Sequence, residues 1–138
     1  MAGINAVRVL IGGFVAGLIG NAFDFVINTY LLTAEWEAVA VARNLDPVAA
    51  ASPTPWIVID FLVGILGVWT YAAMRPRFGA GPRTAVCAAL AIWGGITLIL
   101  TGLTFVGFWP MALHIKMSAY QAVSILVAVN VGGMLYKE

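Results

Sequence analysis

This sequence has very little charge. Lys, Arg, Asp and Glu make up 9% of its 138 residues, whereas hydrophobic residues make up 62%. A soluble domain carries about 25% charged residues, so this chain has too few polar side chains to cover a surface that faces water. The deficit predicts a protein that lives in a lipid bilayer, with membrane lipids among its partners.

The sequence also lacks a basic run and a second cysteine. Its formal net charge is +1, and no stretch of Lys and Arg could follow a phosphate backbone, which excludes nucleic acid as a partner. Cys87 is the single cysteine. An internal disulfide and a zinc site built from several cysteines are therefore excluded, and no CxxCH motif for c-type haem is present.

Histidine and catalytic motifs are scarce as well. His114 is the only histidine; it follows Pro110 in a predicted connector, where we expect a surface side chain, since a metal site needs further ligands. No nucleophile elbow, phosphate-binding glycine loop or HExxH motif appears. We expect no metal, no cofactor, no catalytic residue and no enzymatic activity. A pigment or quinone among Trp69, Tyr71 and Trp93 stays open, although such aromatic side chains more often belong to a core or interface.

What the chain does have is four long apolar runs. They cover about residues 7–32, 56–74, 84–109 and 117–136, and each exceeds the ~18 residues typical of a membrane-spanning helix. The first run is too long for the apolar part of a signal peptide, so we interpret it as a retained transmembrane helix. The sequence predicts a single all-α transmembrane domain over residues 1–138, folded as a four-helix bundle.

Basic residues are shared unevenly between the two sides of the predicted bundle. With four spans, both termini and the middle connector share one side, and five of the seven Lys and Arg residues fall there. The positive-inside rule then places both termini in the cytoplasm of a cell with the chain in its inner (plasma) membrane, as in bacteria. In the long first connector, Thr33 could cap a short helix with Glu35 and Glu37 in its first turn. We expect that helix to lie on the outer membrane surface.

Each predicted span has a face of small or polar residues at helical spacing. Gly13 and Gly17 form a GxxxG motif, a spacing that lets helix backbones approach closely in lipid. Such faces pack helices within one bundle, against a second copy, or against another membrane subunit. The glycines predicted to pack helices are Gly13, Gly17, Gly20, Gly64 and Gly67.

Asp24 lies in the middle of the first apolar run, on the same helix face as Gly13, Gly17 and Gly20. An ionisable residue within a membrane marks a packing contact or a functional site. Asp60 is expected near the outer entrance of the second span, with further polar residues at similar depth on the other spans. The candidate ligand- or ion-binding residues are Asp24, Asn21, Asn28, Asp60, Thr101 and Gln121.

Three interpretations of this polar cluster stay open. Asp24 could be a structural hub that accepts hydrogen bonds from the neighbouring amides and hydroxyls. Asp24 and Asp60 could instead bind a proton, a cation or a cationic substrate in an outward-open cavity, or the cluster could bind a partner subunit or a lipid headgroup. The preferred hypothesis is a non-enzymatic accessory or scaffold subunit that associates through its Gly-rich faces. The alternative is a small proton- or cation-coupled transporter or channel that uses Asp24.

In size, span count and the acid of its first span, the chain is similar to the small multidrug resistance transporters. Those are four-helix proteins with an essential acid in the first span, and Asp24 stands at the matching position. The resemblance implies a small transporter. The chain departs from that family in having aspartate in place of glutamate, a long Pro-rich first connector and no matching aromatic motif, so the similarity is one of analogy and not of membership.

Overall fold

The computed structural model describes residues 3–46 and 52–137. In this part of the chain the structure is 84% helix, with no strands, which confirms the all-α prediction. The helices are α1 (Ala6–Val26), continued by a π-helical turn (Ile27–Leu31), then α2 (Thr33–Ala42), α3 (Thr54–Phe78), α4 (Pro82–Phe105) and α5 (Met111–Met134).

Four of these helices are long and apolar enough to cross a membrane. The segments are Ala6–Leu31, Thr54–Phe78, Pro82–Phe105 and Met111–Met134. They confirm the expectation of four apolar helices long enough to span a membrane, which suggests a multi-pass membrane protein. The placement of both termini in the cytoplasm stays a prediction. We therefore name the two ends of the bundle by their residues: the α2 end holds helix α2, and the terminal end holds Asn5 and Tyr136.

Two of the helices extend beyond their predicted bounds. The second span was expected to end near Met74, but α3 continues through Pro76 to Phe78. Proline removes one backbone hydrogen bond, and here the helix tolerates that loss in its final turn. The fourth span was expected from about Met117, but α5 already begins at Met111, directly after Pro110. The predicted connector therefore contributes almost two turns of helix.

The spanning helices form a bundle in which α1 and α4 occupy opposite corners. Helix α1 packs on α3 and α5, and α4 packs on the same two helices from the other side. The main core is built from small and β-branched side chains, including Ala16, Val68, Ala88 and Val129. A second apolar cluster at the α2 end joins Ile27 and Leu32 to α5.

The closest approach of α1 to α3 takes place at glycines. A Cβ atom added to Gly64 would lie 2.5 Å from the backbone N of Gly17 and 2.6 Å from the carbonyl O of Gly13. Real Cβ atoms do not come that close to backbone atoms, so the two helices touch backbone to backbone. Gly67 faces Val129 of α5. Gly20 is roomier, because its added Cβ would meet Asp60 at an ordinary 3.7 Å.

Helix α1 also meets α5 at glycines, which the sequence analysis did not select for packing. A Cβ added to Gly132 would lie 2.5 Å from the carbonyl O of Gly12. Gly12 and Gly132 are both buried. Glycines of α1 therefore pack against two helices of the bundle: Gly13 and Gly17 pack against α3, and Gly12 packs against α5.

Helix α2 is present where a short helix was predicted, but Thr33 does not cap it. The N-cap residue is Leu32, and the Thr33 hydroxyl donates instead to the carbonyls of Asn28 and Thr29, at 2.9 and 2.6 Å. The chain enters α2 directly from the π-helical turn, so the nearest acceptors lie in that preceding turn. The position of α2 on a membrane surface stays a prediction.

Contacts of the Glu35, Trp36 and Arg43 side chains hold α2 to the bundle. Trp36 Nε1 donates to Asn28 Oδ1 at 2.9 Å, and Lys116 Nζ of α5 pairs with Glu35 Oε1 at 2.5 Å. At the end of α2, the Arg43 guanidinium donates to the Gly107 carbonyl and lies 5.0 Å from the centre of the Phe108 ring. These contacts tie α2 to the turn before it, to α5 and to the α4–α5 connector.

The ion pair between Glu35 and Lys116 predicts a pH-dependent effect on stability. The hydrogen bond from Lys116 lowers the pKa of Glu35 below its ordinary 4.5, so the pair stabilises the fold above that pH and the effect fades as the pH falls through the lowered pKa. We expect Glu35→Gln to lower the thermal unfolding midpoint slightly at pH 7 and not at strongly acidic pH. A midpoint difference from wild type that is the same at every pH would contradict this assignment. Glu37→Gln is the matched control, because Glu37 lies two residues further along α2 and is an exposed acid.

Candidate functional site

A partly open cavity of about 240 Å³ lies between the four spanning helices, in the half of the bundle nearer to α2. Its walls come from α1, α3, α4 and α5 and are mostly apolar. The polar lining consists of Asp24 on α1, Asp60 on α3, and Gln121 and Ser124 on α5. No Lys, Arg or His side chain lines it among the described residues. Three of the six candidate residues therefore meet in one cavity.

The crossing of α1 and α3 brings the two carboxyl groups to the same space. Asp60 packs against α1 at Gly20, where the missing side chain leaves room for its carboxyl group. Asp24 follows Gly20 by four residues, so it lies on the same face one turn further along α1. Both acids are half-buried. The structure thus joins two acids that are 36 residues apart in the chain.

Two buried oxygen atoms at this cavity have no hydrogen-bond donor from the described residues. They are Asp60 Oδ2 and Gln121 Oε1. A buried acceptor without a partner costs about 1–3 kcal/mol, and such groups in native proteins usually meet water, an ion or a ligand. With the Asp24 carboxyl beside them and no basic side chain in the lining, the cavity offers oxygen acceptors and negative charge.

The other three candidate residues do not line the cavity. Asn21 Nδ2 donates to the carbonyl of Gly17 at 2.9 Å and to that of Ile57 at 3.3 Å, which links α1 to α3. Asn28 Nδ2 donates to the backbone carbonyl of Asp24 at 2.9 Å, and its Oδ1 accepts from α2. Thr101 donates to the carbonyl one turn earlier in α4, at 2.7 Å. Three of the four side chains that the hub hypothesis named as donors to the Asp24 carboxylate, those of Asn21, Asn28 and Thr101, thus donate to backbone carbonyls.

His114 is buried, so the expectation of a surface histidine is wrong. Its side chain is 5% exposed, and Nε2 lies 2.9 Å from Thr101 Oγ1 on α4. The error came from the helix boundary, because the early start of α5 puts His114 in the first turn of a helix and not in a connector. A signal was available: His114, Ser118 and Gln121 are spaced by four and three residues, as on one helix face.

The hydroxyl of Thr101 lies between His114 and the backbone of its own helix. Thr101 Oγ1 is 2.9 Å from His114 Nε2 and 2.7 Å from the Thr97 carbonyl O, and its single proton can serve only one of these two bonds. Nearby, Thr97 Oγ1 and Ser118 Oγ lie 3.2 Å apart, and Trp93 Nε1 donates to the Ser118 carbonyl at 2.9 Å. These contacts form a polar seam between α4 and α5.

Thr101→Val should destabilise the bundle by about 1–2 kcal/mol, because it leaves the buried Nε2 of His114 without its hydrogen-bond partner. The matched control is Thr104→Val, since Thr104 also bonds the carbonyl one turn earlier in α4, at 2.8 Å, but has no histidine partner in the described residues. Thermal unfolding in detergent compares the two variants. Equal midpoints would show that the contact with His114 contributes nothing to stability.

No protein family, curated protein or solved structure matches this chain. Among residues 3–46 and 52–137, no group of three or more His, Cys, Asp and Glu side chains is arranged to hold a metal ion. Asp24, Asp60 and Gln121 line one cavity. The chemistry of these three side chains is therefore the basis for proposing a function.

Proposed function

We propose that this membrane protein is a non-enzymatic transporter or channel that binds a proton or a small cation between Asp24 and Asp60. The observation that supports the proposal is the shared cavity: two carboxyl groups from different helices and the buried Gln121 Oε1 meet there without a basic side chain in the described lining. A charged acid within a membrane-spanning segment costs free energy, so such residues usually have a partner or a function.

The electrostatics of the cavity favour a positively charged occupant. Two carboxylates that face one space repel each other when both are ionised, and a shared proton or a cation between them relieves that repulsion. Water occupies roughly 30 Å³ per molecule in the liquid, so 240 Å³ has room for a small ion with part of its hydration shell. We further propose that the protein lies in the plasma membrane with both termini in the cytoplasm, so that the cavity belongs to the outer half.

The glycines that were expected to bind a partner subunit are occupied inside the bundle. Gly13, Gly17, Gly64 and Gly67 all face neighbouring helices of the same chain, so another protein could reach them only if the bundle opened. This weakens the accessory-subunit hypothesis in its original form. One face still favours it as a second candidate function: α4 has open space at Gly94, Gly95 and Gly102.

Reconstitution of the purified chain in liposomes tests the transport proposal. Vesicles that contain a pH-sensitive dye would receive inward gradients of H⁺, Na⁺, K⁺ or tetramethylammonium. The last three gradients would be measured with and without a protonophore, so that uptake of the cation drives a proton efflux that the dye reports. We expect at least one gradient to produce a flux above that of protein-free vesicles. Fluxes equal to the protein-free background for all four cations would reject the proposal. The mass of the particle in mild detergent tests the second candidate, since co-migrating proteins that are released by Gly95→Leu would support an accessory role.

A further inference from the structure

The acidic cavity has more acceptor oxygens than a proton needs. Two neutral polar side chains, Gln121 and Ser124, line it together with the carboxyl groups of Asp24 and Asp60. The buried atoms Asp60 Oδ2 and Gln121 Oε1 accept no hydrogen bond from the described residues. An amide oxygen binds metal cations and accepts hydrogen bonds, but it carries no proton of its own. A bound proton alone therefore leaves part of this lining without a partner.

Ser124 contributes a second neutral oxygen to the cavity wall. Its side chain is only 3% exposed. A serine or threonine hydroxyl inside a helix often bonds the carbonyl one turn earlier, as those of Thr70 and Thr104 do at 2.8 Å. Within the described part of the chain, the Ser124 hydroxyl makes neither that bond nor any other. A buried hydroxyl without a protein partner points to water or a ligand in the cavity.

The basic side chains in this half of the bundle are engaged elsewhere. Among the described residues they are Arg43, His114 and Lys116. Lys116 pairs with Glu35 at 2.5 Å, and Arg43 donates to the Gly107 carbonyl. The ring of His114 is hydrogen-bonded to α4. None of the three lines the cavity, so its two carboxylates have no positive side chain beside them.

Charge balance favours a divalent cation as the tightest occupant. A monovalent ion leaves one of the two carboxylate charges uncompensated in surroundings of low dielectric, whereas a divalent ion compensates both. Mg²⁺ and Mn²⁺ prefer carboxylate, carbonyl and water oxygens, and Mg²⁺ is usually held by one or two carboxylates while it keeps several waters. Those waters are hydrogen-bond donors, which suits a lining of acceptors, and about 240 Å³ has room for them.

We propose that the acidic cavity binds one partly hydrated divalent cation of the Mg²⁺ class, and that this ion blocks the flux of protons and monovalent cations. The carboxylates of Asp24 and Asp60 compensate its charge. Gln121 and Ser124 bind the ion or the waters that it keeps. Conduction requires a site that releases its ion readily, and an ion whose charge is fully compensated leaves slowly. The block rests on the function proposed above, whereas the binding does not.

Titration of the full chain with Mn²⁺ in a nonionic detergent tests the site. Free Mn²⁺ gives an electron paramagnetic resonance signal that weakens when the ion is bound, so the titration reports stoichiometry and affinity. We expect one Mn²⁺ per chain, displaced by Mg²⁺. Asp24→Asn and Asp60→Asn should each weaken binding about tenfold or more, since each removes a charged ligand. Glu37→Gln, which changes an exposed acid on α2, should bind as wild type does.

Two variants that keep both acids carry the test if the Asn variants fail to fold. Gln121→Leu and Ser124→Ala should each weaken Mn²⁺ binding about fivefold, as expected for the loss of one neutral contact. Ser118→Ala is the matched control, because Ser118 lies on α5 without lining the cavity and contacts α4 instead. Wild-type affinity in both Gln121→Leu and Ser124→Ala would overturn the proposed ligand set.

Flux in liposomes separates this inference from the function on which the block rests. The flux is measured first with divalent ions removed by a chelator, and then with saturating Mn²⁺ on both sides of the membrane, which should reduce it to the protein-free background. Mn²⁺ binding with the expected pattern of variants, but no flux in either condition, would keep the site and reject the transporter together with its block. Flux that Mn²⁺ leaves unchanged would overturn the block, and the absence of Mn²⁺ binding would overturn the site, while the transporter proposal stands. Equal weakening by Glu37→Gln and the cavity variants would show general charge attraction and would also overturn the site.

Discussion

Gly64→Ala should destabilise the bundle by about 2 kcal/mol or more, within or above the usual range for an overpacked core. The added methyl group would lie 2.5–2.6 Å from backbone atoms of Gly17 and Gly13. Backbone atoms cannot turn aside as a flexible side chain can, so α1 and α3 must separate along their crossing. The separation would also weaken the neighbouring contacts, including that between Gly20 and Asp60. Unfolding in mixed micelles with increasing denaturing detergent measures the loss.

Gly95→Ala is the matched control for this prediction, since nothing lies within 4 Å of a Cβ atom added to Gly95. Alanine there should leave stability unchanged or raise it slightly, because glycine is the poorer helix former. The comparison isolates the effect of contact from the effect of helix propensity. If the two variants unfold at the same detergent fraction, the close crossing of α1 and α3 does not determine stability.

Asp24→Asn and Asp60→Asn should each reduce the cation flux in liposomes to the protein-free background. The amide has nearly the same shape as the carboxyl group but carries no charge and does not ionise, so it removes the attraction on which the proposed site depends. Flux from the same gradients as for wild type, at equal protein content per vesicle, measures the effect. Glu37→Gln is the control, since Glu37 is an exposed acid on α2.

Two other outcomes would contradict the proposed roles of these acids. Full flux in both Asn variants would remove Asp24 and Asp60 from the transport pathway. A large drop in the unfolding midpoint, with no folded protein left to assay, would favour a structural role for the carboxyl groups. Thermal unfolding of each variant before reconstitution separates that second outcome from a folded but inactive protein.

The sequence predicted the helices better than it predicted their partners. Four apolar runs and the small-residue faces follow from periodicity, because each property belongs to a single helix. A shared cavity for Asp24 and Asp60 was only one of three interpretations that the sequence left open, and Asp60 was expected nearer to the outer surface than Asp24. Which residues of two helices touch depends on the crossing, and that crossing is set by the close contact of Gly64 with α1.

The polar residues of α1 show why a shared face is not a shared site. Asn21 and Asn28 lie on the same arc of the helix as Asp24, yet each donates to the carbonyl four residues earlier in its own helix. Asparagine side chains often bond to nearby backbone groups in this way, and in lipid that local acceptor is always present. The pattern therefore places these amides on the correct face without making them part of the cavity.

The contact between Gly12 and Gly132 has a consequence for the order in which the chain is assembled. The two glycines are separated by most of the sequence, and a ribosome that adds about 5–20 residues per second needs roughly ten seconds to pass from one to the other. During that interval α1 waits in the bilayer without α5, and its only finished neighbour for much of the time is α3. Until the last helix is inserted, α3 is therefore the helix of this bundle against which α1 can pack.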